Sequence, residues 1–341
     1  MITAIFAIVS PQKFILNKDL KTIKPGWQGN PLDSEGRFVN LEFPFLPKYR
    51  DVFKWMFTRN PQKPEKLNDI FRLQPVNDKS FTEDQQDCII WLGHATFFIR
   101  LNNVNLLIDP VFFSVPLVKR YCAHAFSADF FKGLDYLLIS HDHQDHCQKK
   151  SVRILAGNNP GMEVLTGLNM EKLLRPWSGN LPIQMAGWYQ QYNTSDKISI
   201  YYLDSRHWSK RGLRDENRRL WGAFVIQSKA LTIYFSGDSG YGKHFKDVKD
   251  LFPNIDIAII GIGAYKPEWF MHPNHASPGD ALRAFHDLGA KVMIPMHYGT
   301  FDISDEPVGE PLRVLQKLVQ KDEITGILKV LQPGEIYNPS K

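Results

Sequence analysis

Residues 139–147 read ISHDHQDHC, which puts His141, His143, Asp145 and His146 within six positions, directly after the apolar run Leu134–Ile139. Imidazole and carboxylate are good ligands for zinc, iron or manganese, and donors this close in sequence assemble at little loop-closure cost. A chain leaving a strand turns alternate residues to one side, so His141 and His143 are expected to face one metal. The adjacent pair Asp145 and His146, turning into a helix, is expected to face a second. The competing reading is a solvated polar loop, and the density of the cluster argues against it.

Working outward, three further candidates lie just past apolar strand-like runs: His207 after IYYLDSR, Asp238 after LTIYFSG and His297 after KVMIPM. Taken singly, each reads more readily as a structural or surface residue. Strand ends on one edge of a scaffold converge, however, and functional groups gather there. Seven ligands divide into three per metal plus one shared carboxylate, with room for a water between the metals. Two divalent ions are therefore expected. Zinc is the first choice, because imidazole dominates the set and thiolate is absent from it, and iron and manganese are also suited.

From about residue 88 the chain alternates short β-branched or aromatic runs with helix-like stretches. The runs are CIIWLGHA, FFIRL, VNLLIDP, DYLLISH, IYYLDSRH, AFVIQ, LTIYFSGD, DIAIIGIG and KVMIPMHYG; the stretches are SVRILAG, SPGDALRAFHDLG and EPLRVLQKLVQ. Each run closes on Gly, Asp, Ser or Pro, as strands do. Ser277 and Pro278 form an N-cap and first-turn pair, and Gly289 is a helix stop. One unbroken block of strands with helices between them predicts a layered α/β or α+β domain over 86–341. Residues 1–85 are rich in Pro, Lys, Asn and Phe without sustained periodicity. They read as an irregular arm packed on the core, with a short helix at Tyr49–Arg59.

Composition narrows the class. The chain has 341 residues, 43% of them hydrophobic and 13% aromatic, which suits a folded protein with a large core. The net charge of +5 is mild, and part of it sits in the single run Arg206–Arg219 rather than along a face made for nucleic acid. Three cysteines (Cys88, Cys122, Cys147) with no CxxC spacing make neither a disulfide framework nor a structural zinc site, so a reducing, cytoplasmic setting is the default. The opening MITAIFAIVSPQKF lacks the charged start and small-residue cleavage site of a secretory signal, and no segment approaches the ~20 apolar residues of a membrane span.

HxHxDH followed by a distant histidine, an aspartate in a GDxG turn and a final histidine resembles the metallo-β-lactamase fold hydrolases. The chain is more closely similar to one branch of them, the N-acylphosphatidylethanolamine-hydrolysing phospholipase D enzymes and their bacterial relatives. That resemblance rests on GRFVN at 36–40, WLGHAT at 91–96, LIDPVF at 107–112, SRHWSKRGLRDENRRLWG at 205–222, GDSGY at 237–241, GIGAYKPEWFMHPNHASP at 261–278 and MHYGTF at 296–301. It implies a four-layer αββα sandwich of the α+β class. It also implies one metal on His141, His143 and His207, the other on Asp145, His146 and His297, and Asp238 bridging both. Two cations ~3.5–4 Å apart keep a bridging hydroxide available near neutral pH, which would attack phosphorus or carbonyl carbon without a side-chain nucleophile. Asp145 is also expected to steer that hydroxide or take up a proton.

The same resemblance places His275 beside substrate and His94 against the ligands; Asp109, after the run VNLLI, reads as an orienting or turn residue rather than a ligand. Arg206, Lys210 and Arg211, which flank His207, and Lys149 are candidate phosphate contacts, although Asp215 and Glu216 offer the basic run internal salt bridges instead. The branch usually continues its metal cluster with Leu-Asp and an aromatic, whereas this chain has Cys147, Gln148 and Lys149, so its pocket chemistry differs there. The expected substrate is an N-acylphosphatidylethanolamine-like phospholipid. The alternatives are a small soluble lactone or cyclic phosphodiester, or a non-catalytic binding protein on the same fold. No nucleic-acid partner is expected, and the oligomeric state is left open. A phospholipid substrate would bring the protein to the inner face of a membrane as a peripheral protein, through Ile2–Val9 or the aromatic arm around Phe43, Phe45, Trp55 and Phe57 with Lys48 and Lys54.

Overall fold

A computed structural model describes residues 13–46, 48–321 and 324–339. Two mixed sheets face each other. The first runs, in spatial order, Ile336–Tyr337, Cys88–Trp91, Phe97–Leu101, Val104–Ile108, Tyr136–Ile139, Glu163–Gly167 and Ile183–Ala186. The second runs Ile327–Leu328, Val292–Met296, Ile257–Gly261, Thr232–Phe235, Ala223–Gln227, Ser199–Leu203, Gln190–Gln191 and Lys21–Thr22. Each sheet has a parallel half: Val104–Ile108 through Ile183–Ala186 in one, Thr232–Phe235 through Ile327–Leu328 in the other.

The strands read as continuous apolar runs because both of their faces are covered. In Tyr136–Ile139 the side chains alternate with period two: Tyr136 and Leu138 join the core between the sheets, while Leu137 and Ile139 join a second core. That second core packs Ile90, Phe98, Leu107 and Val164 against Val152, Leu155 and Leu174 of the helices Lys149–Asn158 and Glu171–Ser178. The other sheet is covered by the helices His244–Leu251, Pro278–Leu288 and Glu310–Lys321, through residues such as Phe245, Phe285 and Leu315. The layers are therefore helix, sheet, sheet, helix. Fully buried residues such as Trp91, Phe97, Phe224 and Phe235 fill the interface, each contributing roughly 1.5–3 kcal/mol by leaving water.

All nine strands read from the sequence are present, and the helix at 278–288 has the expected ends. Ser277 accepts a hydrogen bond from Asp280 N at its start, and Gly289 closes it in the left-handed region at φ 60°. The stretch read as an irregular arm contains more order than its composition suggests. Lys13–Ile15 and Asn30–Leu32 pair into a small ribbon, Lys21–Thr22 extends the second sheet against Gln190–Gln191, and Tyr49–Phe57 is a helix. Residues Ile2–Val9, considered above for membrane contact, lie outside the described residues. No helix among the described residues is long and apolar enough to cross a membrane.

Candidate metal centre

The ends of strands from both sheets meet on one edge. Trp91 leads to His94, Ile108 to Asp109, Ile139 to His141–His146, Leu203 to His207, Phe235 to Asp238, and Met296 to His297. Three of these residues turn sharply to face the centre, with positive φ at His94 (53°), Asp109 (43°) and His297 (62°). Such backbone costs about 1–3 kcal/mol per residue and persists only where the surroundings enforce it. Part of the enforcement is a hydrogen bond from His297 N to the His94 carbonyl at 3.0 Å. Gly263 lies so close that a Cβ there would collide with the His297 carbonyl oxygen.

Two four-residue sets of donors form among the described residues, each with one atom per residue within 4.8 Å of the others: His141, His143, His207 and Asp238 in one, His94, Asp145, His146 and His297 in the other; the triples Asp109, His141, His146 and Asp238, His275, His297 overlap them. His143 Nδ1 is 3.0 Å from His141 Nε2 and 3.2 Å from His207 Nε2. A metal with bonds of roughly 2.0–2.1 Å at tetrahedral angles holds its donors about 3.3 Å apart, so this spacing fits one. Asp238 serves both sets. Its Oδ1 is 3.1 Å from His297 Nε2, and its Oδ2 is 3.2 Å from His146 Nε2 and 3.7 Å from His207 Nε2.

Two buried ring nitrogens that face inward here, His146 Nε2 and His297 Nε2, have only the carboxylate of Asp238 beside them, at 3.2 and 3.1 Å, without hydrogen-bond geometry. Uncompensated burial of that kind is costly, and a cation removes the cost. The charges point the same way. Burial, backed by neighbouring imidazoles, holds His141 well below the ordinary histidine range; burial likewise lowers His207 well below it, with the rings of His143 and His275 adding to the effect. Both therefore present neutral lone pairs, as a metal requires. Burial works against ionising Asp238, but His146 and His297 hold it well below the carboxylate range. Asp145 is held down in the same way by the His94 hydrogen bond. Burial also opposes charge on His146, yet Asp238 and Asp109 raise it well above its usual range. The carboxylates thus demand positive charge at the spot where the two donor sets meet.

Behind the donors, Asp109 Oδ2 accepts from Ser140 Oγ at 2.5 Å and pairs with His146 Nδ1 at 2.8 Å, and Oδ1 accepts from Ser140 N at 2.7 Å. It fixes the ring of His146 with Nε2 facing inward. His94 Nε2 lies 2.9 Å from Asp145 Oδ2, and Asn274 O lies 3.1 Å from His207 Nδ1. The carbonyl of Asn274 carries no signal in a sequence. Asp142, between two candidate ligands, faces away from them: it accepts from Arg219 Nε at 2.6 Å and Lys210 N at 2.9 Å, tying the ligand loop to the 205–222 loop.

Above the centre opens a cavity of about 360 Å³. Its polar floor includes His143, Asp145, Asp238 and His275; its walls include Val52, Trp55, Val115, Phe270, Met271 and Ile303. His275 Nδ1 is 3.8 Å from Asp238 Oδ2, and burial pulls this imidazole down to about 4. Two residues considered for substrate contact sit elsewhere. Lys149 is exposed at the start of the helix Lys149–Asn158, outside the cavity lining. Arg211 donates to the carbonyls of Asp142 (2.9 Å) and Cys147 and stacks on Trp177, so its guanidinium is committed to the protein. The basic run is largely paired internally, Arg219 with Asp142 and Asp215, and Lys210 with Glu216 at 2.6 Å. Of the four cations considered for phosphate contact, Lys210 lines the cavity and Arg206, Arg211 and Lys149 do not.

The β-lactamase superfamily domain matches residues 104–298, more than half of the chain. An N-acyl-phosphatidylethanolamine-hydrolyzing phospholipase D of Caenorhabditis elegans is 27% identical over 347 aligned positions, covering 95% of this chain and 97% of that one. Among solved structures, a metallo hydrolase from the archaeon Ignicoccus hospitalis superposes with TM-score 0.55 at 20% identity, over 74% of this chain and 97% of its own. A diiron β-hydroxylase from Streptomyces venezuelae superposes at 0.57 and 18% identity, over 75% of this chain and 54% of its own. Such low identities speak to the fold alone. With its two facing sheets, outer helices and histidine–aspartate centre, the chain belongs to the β-lactamase superfamily: it is a metal-dependent hydrolase of the metallo-β-lactamase fold, near the N-acylphosphatidylethanolamine-hydrolysing phospholipase D branch.

Proposed function

We propose that the chain is a phosphodiesterase of the phospholipase D type, acting on N-acylphosphatidylethanolamine-like lipids. The observation that carries this reading is the cavity: an apolar-walled chamber of about 360 Å³ whose floor is the metal centre, which suits an amphiphile better than a compact polar substrate. The 27% identity to a phospholipase D of that specificity, across 95% of this chain, supports it. His141, His143 and His207 would hold one divalent cation, Asp145, His146 and His297 the other, and Asp238 would reach both. When bound, the two ions supply positive charge for the phosphate oxygens and acidify a water enough to react near neutral pH. Zinc is the ion we favour, on the imidazole-rich donor set.

The protein's own groups divide the remaining tasks. Water contributes hydroxyl to phosphorus, the bond to the ethanolamine oxygen breaks, and the released alcohol takes a proton. Asp145, ionised and held by His94, would accept the water's proton. His275 is neutral at physiological pH and faces the cavity, so it can hydrogen-bond the substrate without repelling the metals. The apolar walls would hold acyl chains and exclude water from the reacting phosphate. The test is an assay of purified, metal-replete protein against N-acylphosphatidylethanolamine, a short-chain soluble diester and a lactone. Release of N-acylethanolamine and phosphatidate, much faster than turnover of the soluble compounds, is expected. Rapid turnover of a soluble ester or lactone with no lipid hydrolysis would overturn the assignment.

A further inference from the structure

A second cavity, of about 500 Å³, lies on the far side of Trp55 from the metal centre, and the ring of Trp55 borders both chambers. Its walls come from the helices Tyr49–Phe57 and Lys63–Asn68, the segment around Arg72, and the paired segments Lys119–Tyr121 and Thr300–Asp302. The last two are joined by hydrogen bonds from Tyr121 N to Thr300 O at 2.8 Å and from Asp302 N to Lys119 O at 2.9 Å. The cavity is therefore built on the strand-like stretch that follows His297, on one side, and on the arm, on the other.

Its charge is one-sided. Five cations line it: Arg59, Lys63, Lys66, Arg72 and Lys119. The two carboxylates in the lining are already engaged. Asp302 pairs with Lys66 at 2.5 Å and accepts from Tyr121 OH at 2.9 Å, and Asp305 accepts from Trp55 Nε1 at 3.0 Å. Among the described residues, the side chains of Arg59, Lys63 and Lys119 have no carboxylate partner. Arg72 and Lys119 also share the ring of Tyr121, at 4.9 and 4.8 Å from its centroid. Two like charges held on one ring above a basic concavity repel each other, and an anion between them turns that repulsion into attraction. Apolar Trp55, Met56 and Leu67 complete the lining, so the site suits a charged group attached to a larger body.

We infer that this cavity is a binding site for a phosphate-class anion, a monoester or diester, separate from the metal centre. Lys66 is spent on Asp302 and Arg72 donates to the carbonyls of Asp69 and Phe71, so the groups left for phosphate oxygens are Arg59, Lys63 and Lys119, from two segments of the chain. The phosphate comes either from a soluble phosphoester or from the head group of an anionic lipid, since the exposed Met56 and Leu67 stand beside the cations. Binding at this cavity does not depend on what the metal centre hydrolyses.

The experiment uses the metal-replete full chain and a combined variant, Arg59→Gln, Lys63→Gln and Lys119→Gln. All three positions are exposed, so the thermal midpoint should not move; Lys63→Gln alone serves as a second, milder variant. Binding of glycerol 3-phosphate is followed by calorimetry, and binding of phosphatidylcholine–phosphatidylglycerol vesicles, against phosphatidylcholine alone, by co-sedimentation. Phosphate that binds at the metals inhibits turnover competitively and does so equally in all proteins. The expected result is a loss of about tenfold or more in the combined variant, with a shallower salt dependence, and a smaller loss in Lys63→Gln; Lys63→Arg should retain binding. Loss with both probes assigns a soluble phosphoester, and loss with vesicles only assigns a lipid head group. Unchanged binding of both probes in the combined variant would overturn the site.

Discussion

Asp238 and His275 stand 3.8 Å apart, yet the geometry assigns them different work. The two oxygens of Asp238 touch imidazoles of both donor sets, whereas His275 lines the chamber and approaches the centre only beside Asp238 and His297. Asp238→Asn removes the negative charge that draws both cations together, so metal content should fall from about two per chain to one or fewer, with activity lost. His275→Ala should keep both metals and lose activity by roughly 10²–10⁴-fold, the range of a positioned proton-handling group. Elemental analysis beside turnover separates the two. Full metal content and activity in Asp238→Asn, with metal loss in His275→Ala, would reverse the roles. That these seven residues would gather at one edge was legible in the sequence, because four of them crowd into ISHDHQDHC and the other three each end an apolar run. The placement of Lys149 and Arg211 was not, because spacing does not say which way a long side chain turns. Arg211 turns inward to two carbonyls that no residue pattern displays.

At the scale of elements, long apolar strands with both faces covered announce themselves, and the nine read from the sequence are those. What escaped were short or mixed pieces: EVLTG at 163–167, IQMA at 183–186 and two-residue pairings such as Lys21–Thr22, too brief to show a period. The helix Tyr49–Phe57 was visible as a helix, but its job was not. Val52 and Trp55 face the chamber, and Trp55 packs on Phe270 with ring centroids 5.5 Å apart, a contact between segments over two hundred residues apart in the chain. If these walls hold acyl chains, Phe270→Ala should raise KM for an N-acyl phospholipid by about tenfold, the loss of roughly 1.4 kcal/mol of apolar contact. Turnover of a short soluble diester, which does not reach the walls, should stay within about twofold. Steady-state kinetics on both substrates decide the matter. Equal losses on the two would mean that Phe270 supports the centre's geometry rather than the lipid.

At the scale of the whole molecule, buried histidines both inside and outside the metal centre set how the fold responds to acid. Burial pulls His94 and His244 down to about 3 and His275 to about 4, from an ordinary value of 6.5. Their folded pKa lies below the unfolded one, so the unfolded chain binds more protons. The stability they confer is present above about pH 6.5 and is lost as pH falls toward 4 and below. Asp145 and Asp238, held below the carboxylate range, add to the loss at the acid end, while His146, raised, opposes it. His244 does not belong to either donor set; its Nε2 pairs with Ser239 Oγ at 2.9 Å, so it reports the fold alone. His244→Gln should therefore flatten the acid limb of stability by up to a few kcal/mol without changing metal content. Bound metal adds a second slope, because its ligands must be unprotonated and it stabilises only the folded chain. At neutral pH, metal at about one hundred times its dissociation constant adds about 2.7 kcal/mol over the chelated protein. That difference should shrink as pH falls from 7 to 5, because protons and metal compete for the same nitrogens. Thermal midpoints of metal-replete and chelated protein across this range measure it directly. A gap that stays constant with pH would mean that the metal is not held by these imidazoles.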